Sequence, residues 1–99
     1  MPIGSNEGWF TWDRSTILTY APNSSGVYAI FNGQSWIYVG ESGDVQARLL
    51  QHWNIDIRCI NQNVSTGFQF ELVAGQAARV ARQNQWIAAL RPLCNQRLG

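Results

Sequence analysis

Two tyrosines stand ten residues apart, Tyr28 and Tyr38, and an arginine and a histidine, Arg48 and His52, follow four residues apart. A four-residue step returns to the same face of a helix, so Arg48 and His52 would project side by side. A guanidinium pairs bidentately with phosphate oxygens, so an arginine placed in this way suits phosphate binding. Taken singly, each residue has a plainer reading. The tyrosines would be strand aromatics, His52 a packing residue beside Trp53, Arg48 a salt-bridge partner of Asp44, and Asn95 a turn residue after Pro92.

The elements that must position these groups can be read from the pattern. Gly26 to Asn32 alternates, with Val27, Ala29 and Phe31 on one face and Tyr28 and Ile30 on the other, as a strand does. Asn32-Gly33 predicts a tight hairpin whose turn residues take positive φ. Trp36, Tyr38 and Gly40 then share one face of the return strand, which brings Tyr28 and Tyr38 near each other in an antiparallel pair. Asp44 or Ser42 caps a helix with Val45, Leu49 and Trp53 as its apolar stripe. Asn54 to Thr66 is polar and reads as a loop, with a short extended piece around Ile57 to Ile60. Phe68, Phe70 and Leu72 alternate against Gln69, Glu71 and Val73 in a third strand. Gln76 to Leu90 is a long helix that Pro92 closes. The expected fold is α+β, a three-stranded antiparallel sheet flanked by helices. Residues 1–25 form an N-terminal extension packing on a domain of residues 26–99, and Asp13 to Ser15 opens a short helical turn within it.

These residues resemble the GIY-YIG nuclease superfamily. Gly26-Val27-Tyr28 and Tyr38-Val39-Gly40 look like the two halves of its motif. Gly40, Ser42, Asp44, Arg48 and His52 follow the family's run, and Arg91-Pro92-Leu93-Cys94-Asn95 resembles its closing segment. The resemblance spans roughly residues 25 to 96 and implies a metal-dependent endonuclease that hydrolyses DNA phosphodiesters. It places Tyr28 and Tyr38 by the scissile phosphate, one of them orienting or deprotonating water. Arg48 would hold the phosphate, and His52 would add an acid, a base or a phosphate contact. Gly40, Ser42 and Asn95 would bind substrate or support the site. A divalent ion, Mg²⁺ or Mn²⁺, would be the cofactor, held by a carboxylate on the last long helix.

The family's metal-binding glutamate falls here on Gln83, and no acid lies beyond Glu71. Gln83 shares a helix face with Val80, Ile87 and Leu90, so it points inward. An amide oxygen brings no charge, and a lone neutral ligand holds Mg²⁺ poorly against water. Glu41, next to Gly40, is the acid best placed to substitute, and Glu71 is the next. The expectation is an endonuclease that is inactive or crippled as written. The alternative is a non-catalytic module on the same fold that binds nucleic acid or a protein.

Composition sets the remaining bounds. At 99 residues the chain is one domain with a modest core. The net charge is +1 and every cation is an arginine, which does not predict strong nonspecific nucleic-acid binding. Arg79 and Arg82 read as solvated. No stretch could span a membrane and no secretory signal is visible, so a cytoplasmic protein is expected. Cys59 and Cys94 are far apart and read as reduced thiols, with a disulfide as the alternative. The partner expected is DNA, with a protein partner possible. No zinc finger or helix-turn-helix is visible in the sequence, so structure-selective cutting or help from a partner is expected rather than long-site specificity.

Overall fold

The computed structural model describes residues 8–54 and 57–95. Its elements in chain order are β1 (Phe10–Thr11), α1 (Arg14–Tyr20), β2 (Gly26–Phe31), β3 (Trp36–Ser42), α2 (Val45–Trp53), α3 (Arg58–Gln62), β4 (Gly67–Leu72) and α4 (Gln76–Leu90). The sheet is antiparallel with the order β1-β4-β2-β3. The fold is therefore α+β as expected, but with four strands in place of three. The additional strand is Phe10–Thr11, which pairs with Phe68 and Gly67 at the outer edge of β4. Two residues are too few to show alternation, so the strand is invisible as a sequence period.

The sheet is covered on both faces. Tyr28, Ile30, Tyr38 and Phe68 face a core built with Ile17 of α1, Val45 and Leu49 of α2 and Ile60 of α3. Val27, Ala29 and Val39 face Trp86 of α4 on the other side, with Trp36, Ile87 and Leu90 around them. Burial on both sides explains why all six residues of β2 are buried.

Three local expectations are corrected. The β2–β3 connection is not a two-residue turn with positive φ. Asn32 instead accepts hydrogen bonds through Oδ1 from the N–H groups of Gln34 and Ser35, both at 2.8 Å, and Gly33 keeps an ordinary φ. Asn32 thus acts through its side chain, not through a left-handed backbone. Second, Trp36 does not share a face with Tyr38. Ile30 pairs with Tyr38 and Phe31 with Trp36, so Ile37 is an extra residue, a bulge that turns Trp36 toward α4. Third, of the expected extended piece at Ile57 to Ile60 only Ile57 is extended; Arg58–Gln62 is a short helix whose Ile60 is buried.

Both long helices fall where their periodicity puts them, α2 at Val45–Trp53 and α4 at Gln76–Leu90. Asp44 caps α2, its Oδ1 accepting from the Ala47 N–H at 3.0 Å. Ser42 supports that cap, since its Oγ accepts from the Asp44 N–H and donates to the Asp44 carbonyl. Asp13 caps α1 likewise. The Ser15 hydroxyl first and the Thr16 N–H second hold its carboxyl below the ordinary value.

The thiol reading is also corrected. Cys59 and Cys94 are joined in a disulfide that ties α3 to the segment after α4. No helix among the described residues is long and apolar enough to cross a membrane.

Candidate phosphate-handling site

The site is built on the β2–β3 hairpin and roofed by α2. Tyr28 lies on β2 directly opposite Gly40 of β3. A Cβ on Gly40 would collide with the Tyr28 hydroxyl and stand 2.5 Å from Cζ. Tyr28 therefore lies across the bare Gly40 backbone, and its hydroxyl is carried from a central strand to the edge strand. Gly26 permits a second close approach, since a Cβ there would strike the Glu71 carbonyl of β4. The two glycines of the paired motif are thus required by contact with neighbouring atoms, not by unusual φ.

Above Gly40 the Tyr28 hydroxyl meets His52 Nε2 at 2.7 Å. His52 comes from the last turn of α2, and its ring stands edge-on to Tyr38 at 5.1 Å between centroids. The Tyr28 and Tyr38 rings are 6.3 Å apart. Three of the sequence candidates, Tyr28, Tyr38 and His52, thus form one cluster. All three are buried, Tyr38 the least so at 8% exposure. Arg48 sits one helical turn before His52, half-buried, and its Nη1 donates to Gln51 Oε1 at 2.7 Å.

Asn95 lies at the outer edge of β3. Its Oδ1 accepts from the Val39 N–H at 2.7 Å and its Nδ2 donates to the Val39 carbonyl at 2.8 Å. The carboxamide imitates one more strand residue. Leu93 and Cys94 continue the pairing with N–H bonds to the Trp36 and Ile37 carbonyls. Asn95 therefore supports the strand that carries Tyr38 and Gly40, and Ser42 supports the start of α2.

Gln83 lies half-buried on α4, the helix whose Trp86 packs on the Val27–Ala29–Val39 face of the sheet. Glu41 and Glu71 face that same layer, and neither is available to a cation there. Arg79 Nε donates to Glu41 Oε1 at 2.7 Å, and Arg82 Nε donates to Glu71 Oε1 at 2.8 Å. Arg79 also reaches the Ser25 hydroxyl at 2.9 Å. Both arginines are thus ion-paired, not merely solvated. Asp13 and Asp44 are committed to helix caps. Among the described residues no group of three His, Cys, Asp or Glu side chains could hold a metal ion. The donor set does not fit a divalent cation, which needs carboxylate oxygens in near-octahedral array.

Trp12 and Trp53, the second read from the sequence only as part of an apolar stripe, also meet beside the cluster. Their rings meet edge-on at 5.9 Å, and both line a cleft of about 570 Å³ that His52 also borders. The contact joins positions 41 residues apart, so no local pattern in the sequence pairs the two rings.

No protein-family model matches the sequence, and no curated protein matches it. Solved structures do match. The magnesium-bound GIY-YIG N-terminal endonuclease domain of UvrC from Thermotoga maritima superposes with a TM-score of 0.68. It has 24% identity, over 80% of this chain and 90% of that one. An asparagine-to-alanine mutant of the same domain, bound to its catalytic divalent cation, gives 0.68 and 24% over 80% and 89%. A tyrosine-to-phenylalanine mutant gives 0.67 and 24% over the same shares. At this identity the likeness carries architecture: this chain has the fold of a GIY-YIG endonuclease domain.

Proposed function

We propose that this domain engages DNA phosphodiesters on the GIY-YIG scaffold and is crippled for hydrolysis because Gln83 stands at the metal-ligand position. The observation that carries the reading is the cluster of Tyr28, Tyr38 and His52, joined by the 2.7 Å contact between the Tyr28 hydroxyl and His52 Nε2. With its proton on Nδ1, His52 accepts the Tyr28 hydroxyl proton. Tyr28 could then take one from a water poised against phosphorus. Arg48, one turn away on the same helix, would neutralise charge on the phosphate oxygens.

Spacing supports the assignment. Three tyrosines are replaced in the cation-bound UvrC structures, at positions separated by ten and then fourteen residues. Tyr28, Tyr38 and His52 have those separations here. His52 would then take a tyrosine's place and bring a nitrogen base where that domain has a phenol. A divalent ion, if held, would polarise the phosphate and stabilise the leaving oxygen, but the carboxylates of the described residues are engaged by arginines or helix caps.

The test is cleavage of duplex, nicked, flapped and single-stranded DNA with Mg²⁺ or Mn²⁺. The chain as written should cut none of these measurably. Gln83→Glu should restore cutting, and Gln83→Glu with Tyr28→Phe should abolish it again. Brisk cutting by the unaltered chain would overturn the impairment. If Gln83→Glu cuts nothing, the endonuclease reading fails and the binding module remains. The disulfide bears on location, since such bonds persist in oxidising compartments; a chain working in the cytoplasm would carry it open.

A further inference from the structure

Beside His52, the cleft adds side chains that the phosphate site does not use. Trp12 continues from β1, its N–H donating to the Thr66 carbonyl at 2.9 Å, and Trp53 is the last residue of α2. Both indoles are half-buried and meet at 63°, so they form two walls and not a closed stack. Asn61, Val64 and Ser65 complete the rim, and no carboxylate lines the cleft among the described residues.

Val64 is the informative residue. It follows Asn63, the C-cap of α3, with φ +52, and its side chain is 71% exposed. That position after a helix favours glycine, and a β-branched residue there is strained. The fold thus tolerates strain to hold an apolar side chain in solvent at the cleft's mouth. Strain of this kind collects at ligand-gripping positions.

We infer that this cleft receives one unpaired nucleobase of a DNA strand whose phosphate lies at the Tyr38–Arg48 side of His52. The inference rests on the phosphate-site reading and specifies the substrate as single-stranded or locally opened DNA. Indole faces stack on any base, and the exposed Asn61 carboxamide can both donate to and accept from a base edge. His52 borders both places, so consecutive parts of one nucleotide could occupy them. A base inside a duplex cannot present its face to two indoles.

The test measures binding of the full chain, without metal, to a short single strand, the same strand lacking all bases, and the matched duplex. Fluorescence anisotropy reports affinity and indole quenching reports stacking. The intact single strand should bind about tenfold tighter than the abasic one and should quench tryptophan emission. Trp53→Ala should erase that difference. Val64→Gly should weaken intact-strand binding several-fold while raising the melting temperature, which separates lost binding from lost folding. Equal affinity for intact and abasic strands overturns the cleft even if Arg48→Ala weakens both. Base-dependent binding that Arg48→Ala leaves untouched sinks the phosphate site and keeps the cleft. If no strand binds, both readings fall.

Discussion

At the scale of single residues, the site depends on an absence. Gly40 has no side chain, and that space is filled by the tip of Tyr28. Adding one methyl would force the phenol off Gly40 and away from His52 Nε2. The surroundings cannot yield easily, since Tyr28 is 1% exposed and His52 2%. Overpacking of such a site costs roughly 1–3 kcal/mol. Gly40→Ala should lower stability by about that amount in urea denaturation, and the imidazole NMR shifts of His52 should move with it. Unchanged stability and unchanged shifts would show that the space over Gly40 is not what holds the pair together. Gln83 illustrates the opposite case. Its neighbour one turn back, Arg79, already neutralises Glu41, so charge near α4 is balanced without a cation.

At the scale of elements, the outer edge of β3 is held by a clip. Residues 93–95 pair along Trp36 to Val39, ending in the two Asn95 carboxamide bonds. The Cys59–Cys94 disulfide fastens the clip to α3 across 35 residues of chain. Covering the edge satisfies backbone groups that would otherwise invite pairing with another chain. Closing a loop of that length restricts the unfolded chain by about 4 kcal/mol in the chain-entropy account. Reduction should therefore lower the melting temperature substantially and speed amide exchange at Val39 and Cys94 before the centre of β2. Uniform exchange across the sheet on reduction would argue against a local clip. This clip was only partly legible in the sequence. Asn95 was visible as a candidate, but its hydrogen bonds join positions 56 residues apart. Neither its partner nor the cysteine pairing leaves a local trace. The long helices and the β2–β3 hairpin were legible because 3.6-residue and two-residue periods persist there over several repeats. The Ile37 bulge, the two-residue β1 and the five-residue α3 are shorter than either period can reveal. Tyr28, Tyr38 and His52 were found together because one hairpin and the next helix carry all three.

At the scale of the whole molecule, charge limits how DNA could be held. The chain carries seven arginines and six acids, and two of the arginines are committed to the fold. Arg79 and Arg82 pair with Glu41 and Glu71 on the α4 face, away from the tyrosine cluster. Arg48 on α2 lies nearest the cluster, while Arg14 and Arg58 are exposed on α1 and α3, the helices whose side of the sheet carries it. A surface with so few cations can neutralise only about two to four phosphates, and affinity falls with salt in proportion to that number. Raising monovalent salt from about 50 to 200 mM should then weaken binding on the order of 10- to 100-fold, far less than for a protein with a broad basic face. Arg14→Ala or Arg58→Ala should each reduce the slope by nearly one unit, whereas Arg82→Ala should leave it unchanged. A steeper dependence, or one that Arg82→Ala flattens, would move the nucleic acid to the α4 face and detach it from Tyr28, Tyr38 and His52. A shallow dependence combined with base-dependent affinity would mean that stacking, not charge, supplies most of the grip. On the proposed reading, that balance would let a small domain hold opened DNA without being retained by the duplex around it.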